Sequence, residues 1–324
     1  MDRNDRILGG VAGVVVGDAL GLPVQFETRA EVRAHPIVGM RGHGTFDLPA
    51  GSWSDDGSMT LCTALALTER GFDPAALADR FVRWYRDGDV TPFGHAYDIG
   101  NATDTAMRAL ERGTPPLSAG PKSVYNNGNG SLMRILPVAL YAANLPDAEL
   151  VRTVSDASRI THGHPRSQLG CVLCALLVRE LLAGAAPEAA YRALCDGAAA
   201  AVAGTGLEAE RPAYRRVLDG GLAALPEAEI SGSGYVVHTL EAALWALLTT
   251  RSYEDALLRA VNLGEDTDTV GAVCGGLAGV RYGLSGIPAG WRAALVRGDE
   301  IDAWVRAFAA AVPGAGAATA ESAP

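Results

Sequence analysis

Aromatic side chains are scarce in this sequence and make up only 6% of its 324 residues. This scarcity disfavours a β-sandwich, because strands are enriched in aromatic and β-branched residues. Glycine and alanine are abundant instead, which favours closely packed helices. No alternating stretch is long enough to predict a sheet, and the closest one, YVVHT at 235–239, is short. We therefore predict an all-α fold.

Net positive charge is also lacking. The formal net charge is −10, so we do not expect the protein to bind nucleic acid irrespective of base sequence. A small ligand that carries phosphate is not excluded, since it needs only a local nest of backbone N–H groups.

The five cysteines form an odd, scattered set. Cys171 and Cys174 make a CxxC, but no second Cys/His pair accompanies them, and we interpret their spacing as the core face of a helix. The apolar run near the N-terminus is interrupted by Asp18 and lacks the basic start and cleavage site of a signal peptide. We predict that no apolar stretch is long enough to span a membrane. We therefore expect a cytoplasmic protein without membrane contact.

The sequence contains no recognisable linker or internal repeat. We predict one domain over residues 1–310 and a disordered tail over 311–324, where the composition becomes glycine- and alanine-rich. A monomer is the expected state, although the sequence does not fix it. Apolar residues at helical spacing predict seven helices. They cover residues 59–70, 74–88, 101–113, 150–162, 168–184, 236–250 and 252–264.

Carboxylates stand beside a segment of small residues in NLGEDTDTVGAVCGGLAGV at 262–280. Glu265, Asp266 and Asp268 occupy three of four positions, and no Lys or Arg lies in the stretch. Crowding like charges against a closely packed helix is costly unless a cation or a proton neutralises them. The segment therefore predicts a partner for its carboxylates.

A second acid cluster begins another helix about two hundred residues earlier. It consists of Ser54, Asp55 and Asp56, and together with Asp266, Asp268 and Thr269 it offers six oxygen-bearing side chains. Hard cations such as Mg²⁺ and Mn²⁺ take such ligands, and one oxygen from each of the six side chains plus waters would suit two ions about 4 Å apart. Helix capping is the alternative interpretation, because Asp and Ser before a helix are most often N-caps.

A Gly/Asn-rich loop lies at 124–137, VYNNGNGSLMRILP. Backbone N–H groups in such a loop, followed by a helix N-terminus, can cradle a phosphate, although an ordinary loop has the same composition. In THGHP at 161–165, His162 is either a ligand-contacting imidazole or a structural group. Tyr235 either stacks on a base or anchors its helix.

Taken together, these motifs resemble the ADP-ribosylglycohydrolase family. The resemblance runs from Arg6 to about Tyr282. It rests on the segments GVVVGDALGLPVQF, WSDDGSMTL, YDIGNAT, NGSLMR, THGHP and GEDTDTVGAVCGGLAG, in that order.

The resemblance implies an all-helical domain with a cleft for two Mg²⁺ or Mn²⁺ ions and a substrate that bears ADP-ribose, such as an ADP-ribosylated protein. It also implies roles for individual residues. The metal ligands would be Ser54, Asp55, Asp56, Asp266, Asp268 and Thr269; the substrate contacts Gly128, Asn129, Gly130, Ser131, Met133, His162 and Tyr235; and the catalytic residues Asp56, Asp98 and Gln25. Cleavage of a C1 glycosidic bond through an oxocarbenium-like state would then need no Ser or Cys nucleophile.

Gln25 departs from the family pattern, because many members have Glu where this chain reads PVQF. Glutamine keeps an oxygen but cannot act as a general base, and Glu27 is a possible substitute. We expect a hydrolase whose linkage or water handling is altered. The alternative is a non-hydrolytic protein that binds ADP-ribose. A prenyl-diphosphate enzyme is disfavoured, because Met59 stands where a third acid would be needed.

Overall fold

The computed structural model describes residues 1–314, and over that range the chain is all-α, as predicted. It contains sixteen α-helices and five 3₁₀ turns within those residues. The helices are α1 Arg3–Gly21, α2 Arg29–Ala34, α3 Asp55–Arg70, α4 Pro74–Asp87, α5 Asn101–Glu111, α6 Pro116–Ala119, α7 Leu136–Ala142, α8 Asp147–Arg159, α9 Pro165–Leu182, α10 Pro187–Ala201, α11 Arg215–Leu218, α12 Val236–Leu248, α13 Tyr253–Val261, α14 Thr267–Tyr282, α15 Ala289–Ala294 and α16 Gly298–Ala311. The 3₁₀ turns are Leu22–Val24, Leu207–Tyr214, Leu222–Ala224, Glu227–Glu229 and Leu284–Gly286.

All seven predicted helices are present, as α3, α4, α5, α8, α9, α12 and α13. The helix α3 begins four residues before the predicted start, because Ser54 accepts a hydrogen bond from Asp56 N and caps it. The YVVHT segment is the start of α12 rather than a strand. The seven predicted helices did not include α10, although its buried residues Ala190, Tyr191 and Leu194 recur at helical spacing.

Helices α1 and α14 pack antiparallel along two stripes of glycine. A methyl group on Gly17 would lie 2.0 Å from the carbonyl oxygen of Gly271, and one on Gly275 would lie 2.1 Å from that of Gly13. Such distances leave no room for any side chain at the crossing. The glycines therefore allow the two backbones to come into direct contact.

The expectation about long apolar stretches was wrong for α1. Together with the turn that follows it, α1 forms a 22-residue helical segment from Arg3 to Val24 that is long and apolar enough to cross a membrane. Its most apolar window is entirely buried inside the fold, and Asp18 does not interrupt it. A helix buried on every side has no polar face, so the sequence shows no amphipathic period there.

The contact between α1 and α14 continues to the first turn of α14. A methyl group on Gly21 would lie 2.6 Å from the Cα atom of Asp268 and 2.2 Å from the carbonyl oxygen of Thr267. The hydroxyl of Thr267 also donates a 2.8 Å hydrogen bond to the carbonyl of Gly21. The backbone that carries Asp268 is thereby fixed against the end of α1.

The boundary of the predicted tail lies near the end of the described residues. Ala311 is the last residue of α16, and Val312 is buried at 3% exposure. The amide of Asn144 donates to the carbonyl of Pro313. The remainder of the predicted tail, residues 315–324, lies outside the described residues.

Candidate functional site

A cleft of about 680 Å³ lies between the N-terminal ends of α3, α5 and α14 and the Gly/Asn-rich loop. Ten of the site residues predicted from the sequence line it. They are Gln25, Asp55, Asp98, Gly128, Asn129, Gly130, Met133, His162, Asp266 and Thr269.

The two acid clusters meet at the floor of this cleft. The hydroxyl of Thr269 donates to Asp56 Oδ2 at 3.3 Å, which joins residues 213 positions apart in the chain. Asp56 and Asp268 are buried behind the surface of the cleft, and Asp55 is buried at its edge. The fold therefore brings together the carboxylates whose proximity the sequence predicted.

Several oxygens in this cluster lack a hydrogen-bond donor. Asp56 Oδ1 and both carboxylate oxygens of Asp268 are buried, and no N–H or O–H group in residues 1–314 donates to them. Burial raises the pKa of Asp268 well above its usual value, and repulsion from Asp266 and Asp56 raises it further. Burial first, then neighbouring carboxylates, likewise raise the pKa of Asp55 and Asp56. The cluster therefore favours binding of protons or of cations.

Capping explains only part of this arrangement. Ser54 does cap α3, with its side chain accepting a hydrogen bond from Asp56 N. Asp266 occupies the N-cap position of α14 but makes no side-chain capping bond. Its carboxylate instead accepts a 2.7 Å hydrogen bond from the side-chain amide of Asn129. Asn129 thus connects the Gly/Asn-rich loop to the acid cluster.

Asp18 belongs to the site, and the sequence reasoning missed it. It is fully buried and accepts hydrogen bonds from the backbone N–H groups of Ser54, at 2.8 and 3.0 Å, and Gly57, at 2.8 Å. These bonds fix the start of α3, where Asp55 and Asp56 project. Burial raises the pKa of Asp18 to about 7. The available signal was a single acid in the apolar part of α1 that follows Arg6.

The raised pKa values lead us to expect that the metal-free protein loses stability as pH rises. The unfolded chain releases these protons near pH 3.8, whereas Asp18 in the folded chain holds its proton up to about pH 7. Stabilisation by such groups is complete below the lower value and is lost as pH rises through the higher one. Thermal unfolding in EDTA should show Tm falling by roughly 5 °C or more from pH 4.5 to 8. A Tm that rises over this range would contradict the assignment.

Gln25 and Asp98 are paired within the cleft. The amide nitrogen of Gln25 donates to Asp98 Oδ2 at 2.9 Å, while Gln25 Oε1 is buried without a hydrogen-bond donor in the described chain. Burial raises the pKa of Asp98, and the hydrogen bond from Gln25 opposes that rise. Glu27 does not line the cleft, so its carboxylate does not take the position that Gln25 occupies.

Besides Asp56 and Asp268, three further predicted residues do not line the cleft. Ser54 and Ser131 are both buried beneath it, and Ser131 accepts a 2.9 Å hydrogen bond from the hydroxyl of Ser158. The ring of Tyr235 points its hydroxyl toward Arg166, which donates to it at 3.1 Å. This geometry matches the anchoring interpretation of Tyr235, and the stacking interpretation stays a prediction.

Two exposed aromatic residues line the cleft and were not predicted. Phe26 is 65% exposed and Tyr125 is 93% exposed. Phe26 has a φ of 70°, which is rare for a bulky side chain. Its N–H donates to the carbonyl of Glu265, another residue with positive φ. Tyr125 lies in the Gly/Asn-rich loop and Phe26 follows Gln25, but an aromatic residue at either position gave no signal of its own.

The N-terminus of α5 also faces the cleft. Residues 99–103 line it, and the N-cap Gly100 supplies no side chain to cap the first backbone N–H groups of the helix. Uncapped N–H groups at a helix start favour anionic or polar ligand atoms. This end of the cleft therefore suits a ligand with phosphate or sugar oxygens.

Comparisons with known proteins agree with this description. A family model described as ADP-ribosylglycohydrolase matches residues 1–318. The ADP-ribosylarginine hydrolase Tri1 of Pseudomonas putida is 36% identical over 291 residues, which cover 89% of this chain and 73% of that protein. The ADP-ribosyl-[dinitrogen reductase] glycohydrolase of Rhodospirillum rubrum is 32% identical over 292 residues, or 89% of each chain. A solved structure described as an ADP-ribosylglycohydrolase-related protein complex is similar with a TM-score of 0.79 and 38% identity, covering 96% of this chain and 99% of that one.

Proposed function

The chain belongs to the ADP-ribosylglycohydrolase family and is a hydrolase that removes ADP-ribose from modified acceptors; we propose that its acceptor is an arginine side chain of a modified protein and that hydrolysis depends on two Mg²⁺ or Mn²⁺ ions. The observation that carries the proposal is the buried acid cluster at the floor of the cleft, with carboxylate oxygens that have no hydrogen-bond donor.

The donor set fits hard cations. In residues 1–314 no three His, Cys, Asp or Glu side chains converge tightly enough to enclose a single metal ion. Carboxylates repel one another, and a bound cation would attract those of the two acid clusters. Hydroxyl oxygens of Ser54 and Thr269 would complete the ligand set with Asp55, Asp56, Asp266 and Asp268, as Mg²⁺ and Mn²⁺ prefer oxygen ligands.

The residues of the cleft suit hydrolysis at C1 of a ribose. Water adds to C1, the bond from C1 to the guanidine nitrogen breaks, and the leaving guanidine takes up a proton. Positive charge develops on the ribose as that bond breaks, and the carboxylates of Asp55 and Asp98 at the edge of the cleft would stabilise it. When bound, the cations would supply Lewis acidity toward the ribose hydroxyls and the attacking water. Backbone N–H groups of Gly128 and Gly130 and those at the start of α5 would hold the diphosphate, whereas the N–H of Asn129 already donates to the carbonyl of Gly234.

Arginine as the acceptor has two kinds of support. The name of the Pseudomonas putida relative assigns arginine linkage to that protein. In this chain, the exposed Phe26 and the acidic residue Glu265 both line the cleft, and the backbone N–H of Phe26 donates to the carbonyl of Glu265. A guanidinium group is a planar cation that stacks on aromatic rings and pairs with carboxylates.

The acceptor is tested by measuring release of free ADP-ribose from arginine-linked and serine-linked protein substrates with Mg²⁺ or Mn²⁺. We expect release from the arginine linkage at a rate at least about tenfold higher, since a cationic acceptor gains pairing at the rim that a hydroxyl does not. Faster release from the serine linkage would reject arginine as the acceptor and leave the hydrolase assignment in place.

The non-hydrolytic alternative depends on Gln25. Its amide donates to Asp98, a contact that a glutamate could not make without a proton. If the chain bound ADP-ribose without cleaving it, release would be absent from both substrates while ADP-ribose still bound.

Gln25→Glu should make the protein more dependent on metal. The introduced carboxylate would face Asp98 at hydrogen-bond distance, and like charges repel strongly at a buried site. In EDTA we expect Tm to fall by roughly 3–6 °C relative to the wild type, and the rise in Tm on adding Mg²⁺ to exceed that of the wild type. Gln168→Glu is the matched control, because the amide of Gln168 donates to a backbone carbonyl outside the cleft. Equal shifts in the two variants would argue against a charge effect at position 25.

A further inference from the structure

A cationic side chain lies in the core behind the cleft. Arg134 is fully buried, its guanidinium stands 4.5 Å from the centre of the Phe81 ring, and no carboxylate in residues 1–314 pairs with it. Burial lowers the pKa of Arg134 to about 10, so it stays charged at neutral pH. A buried cation without an anionic partner is costly, and a purely structural position would be filled more favourably by an apolar residue.

The guanidinium of Arg134 is directed at Thr161. Its Nη2 donates to the Thr161 hydroxyl at 2.7 Å and to the carbonyl of Ala157 at 3.1 Å. The Thr161 hydroxyl lies 3.0 Å from Nδ1 of His162. Both Thr161 and His162 are buried. A chain of three polar groups therefore runs from the core to an imidazole that lines the cleft.

The order of donors in this chain follows from chemistry. A guanidinium can only donate, so the Thr161 oxygen must accept from Arg134. The hydroxyl proton of Thr161 then needs an acceptor in a buried environment, and Nδ1 of His162 is the acceptor within reach. Nδ1 accordingly carries no proton. Burial, and then the charge of Arg134, lower the pKa of His162 to about 3, so the ring is neutral and its one proton is on Nε2.

The loop fixes the orientation of the same ring. A methyl group on Gly130 would lie 2.8 Å from Cε1 of His162, and one on Gly128 would lie 3.8 Å from Nε2. The ring therefore packs against the glycine loop with Nε2 toward the cleft. The backbone N–H of His162 also donates to the carbonyl of Ser158 at 2.8 Å.

We propose that Arg134 and Thr161 are positioning residues, which hold His162 in the tautomer that presents an Nε2–H donor to an oxygen of the bound ligand. The nature of that ligand, ADP-ribose, rests on the proposed function; the tautomer does not. An imidazole fixed as a donor suits a phosphate or ribose oxygen, whereas the opposite tautomer would present a lone pair to it.

The wild-type protein decides the tautomer without any substitution. The measurement is a long-range ¹H–¹⁵N spectrum of imidazole-labelled protein with Mg²⁺ present. The chain has six histidines, and the signals of His162 are those absent from the spectrum of His162→Gln. We expect a pyrrole-type Nε2 and a pyridine-type Nδ1 for His162 at neutral pH. A protonated Nδ1 overturns the proposal.

Two substitutions at Thr161 test the link to binding. Thr161→Val keeps the shape and removes the hydroxyl, so the Nδ1 signal should move toward that of an unbonded ring nitrogen, and the Kd for ADP-ribose should rise about tenfold. Thr161→Ser keeps the hydroxyl and should stay within about threefold of the wild type. An unchanged Nδ1 signal and Kd in Thr161→Val would overturn the proposal, as would equal losses in both variants. These readouts need no hydrolysis, so they stand apart from any failure of the proposed function.

Discussion

Replacing Asp268 by asparagine is expected to lower the rate of ADP-ribose release by about 10²–10³-fold while raising the stability of the metal-free protein. Asp268 is fully buried, and neither of its carboxylate oxygens receives a hydrogen bond within the described residues. Removing its charge relieves repulsion from Asp266 and Asp56. After burial, these are the two carboxylates that raise the pKa of Asp268 most. It also removes a proposed metal ligand.

The informative result is the combination of lost activity and gained stability. Release of ADP-ribose and thermal unfolding in EDTA should be measured on the same preparation. Asp299→Asn is the control, because Asp299 lies in the first turn of α16, away from the acid cluster. An Asp268→Asn enzyme with wild-type activity would remove the argument for cations at this site. Lower stability without metal would show that the carboxylate is structural.

Gly275→Ala is expected to destabilise the protein by about 3 kcal/mol and to lower Tm by roughly 6–12 °C. The added methyl would lie 2.1 Å from the carbonyl oxygen of Gly13, a distance that no rotamer can relieve because the atom is backbone. The helices α1 and α14 would have to separate. Separation would also shift Asp268, at the first turn of α14, and weaken metal binding.

Gly197→Ala provides a control of opposite sign. Gly197 lies inside α10, and an added methyl there would meet nothing within 4 Å. Alanine is the better helix former, so this variant should gain about 1 kcal/mol. If Gly275→Ala behaved like Gly197→Ala in thermal unfolding, the close contact of the two glycine stripes would be refuted.

Asp268→Asn and Gly275→Ala together test how the acids of the 262–280 segment depend on its small residues. The glycines of α14 allow its backbone to touch α1, and that contact holds Asp268 next to the end of α1. The same helix α1 carries Asp18, which fixes the start of α3 and therefore Asp55 and Asp56. Close packing in this protein thus brings carboxylates together that repel one another without a cation.

A site residue could be predicted from the sequence when its type was unusual among the residues around it in the chain. Asp266 and Asp268 were found because charges beside a glycine stripe conflict with packing. Asp18 was overlooked because one acid in an apolar helix reads as an interruption, and its bonds to residues 36 and 39 positions away are set only by the fold.

Other parts of the site had no signal in the sequence. Phe26 and Tyr125 are ordinary aromatic residues until the structure exposes them at the cleft. The contact of Asn129 with Asp266 joins segments 137 residues apart. The helix α1 was missed for a physical reason, because a helix buried on all sides has no amphipathic period to detect.

Under the proposed function, cleavage has one requirement above all, cations bound by the buried carboxylates. Its most direct test is a calorimetric titration of EDTA-treated, desalted protein with Mg²⁺ and with Mn²⁺, with release of ADP-ribose from arginine-linked substrate measured at each point. We predict two bound ions per chain, no activity before they bind, and activity that rises with occupancy. Full activity in EDTA, or activity without measurable metal binding, would show that cleavage does not depend on bound cations.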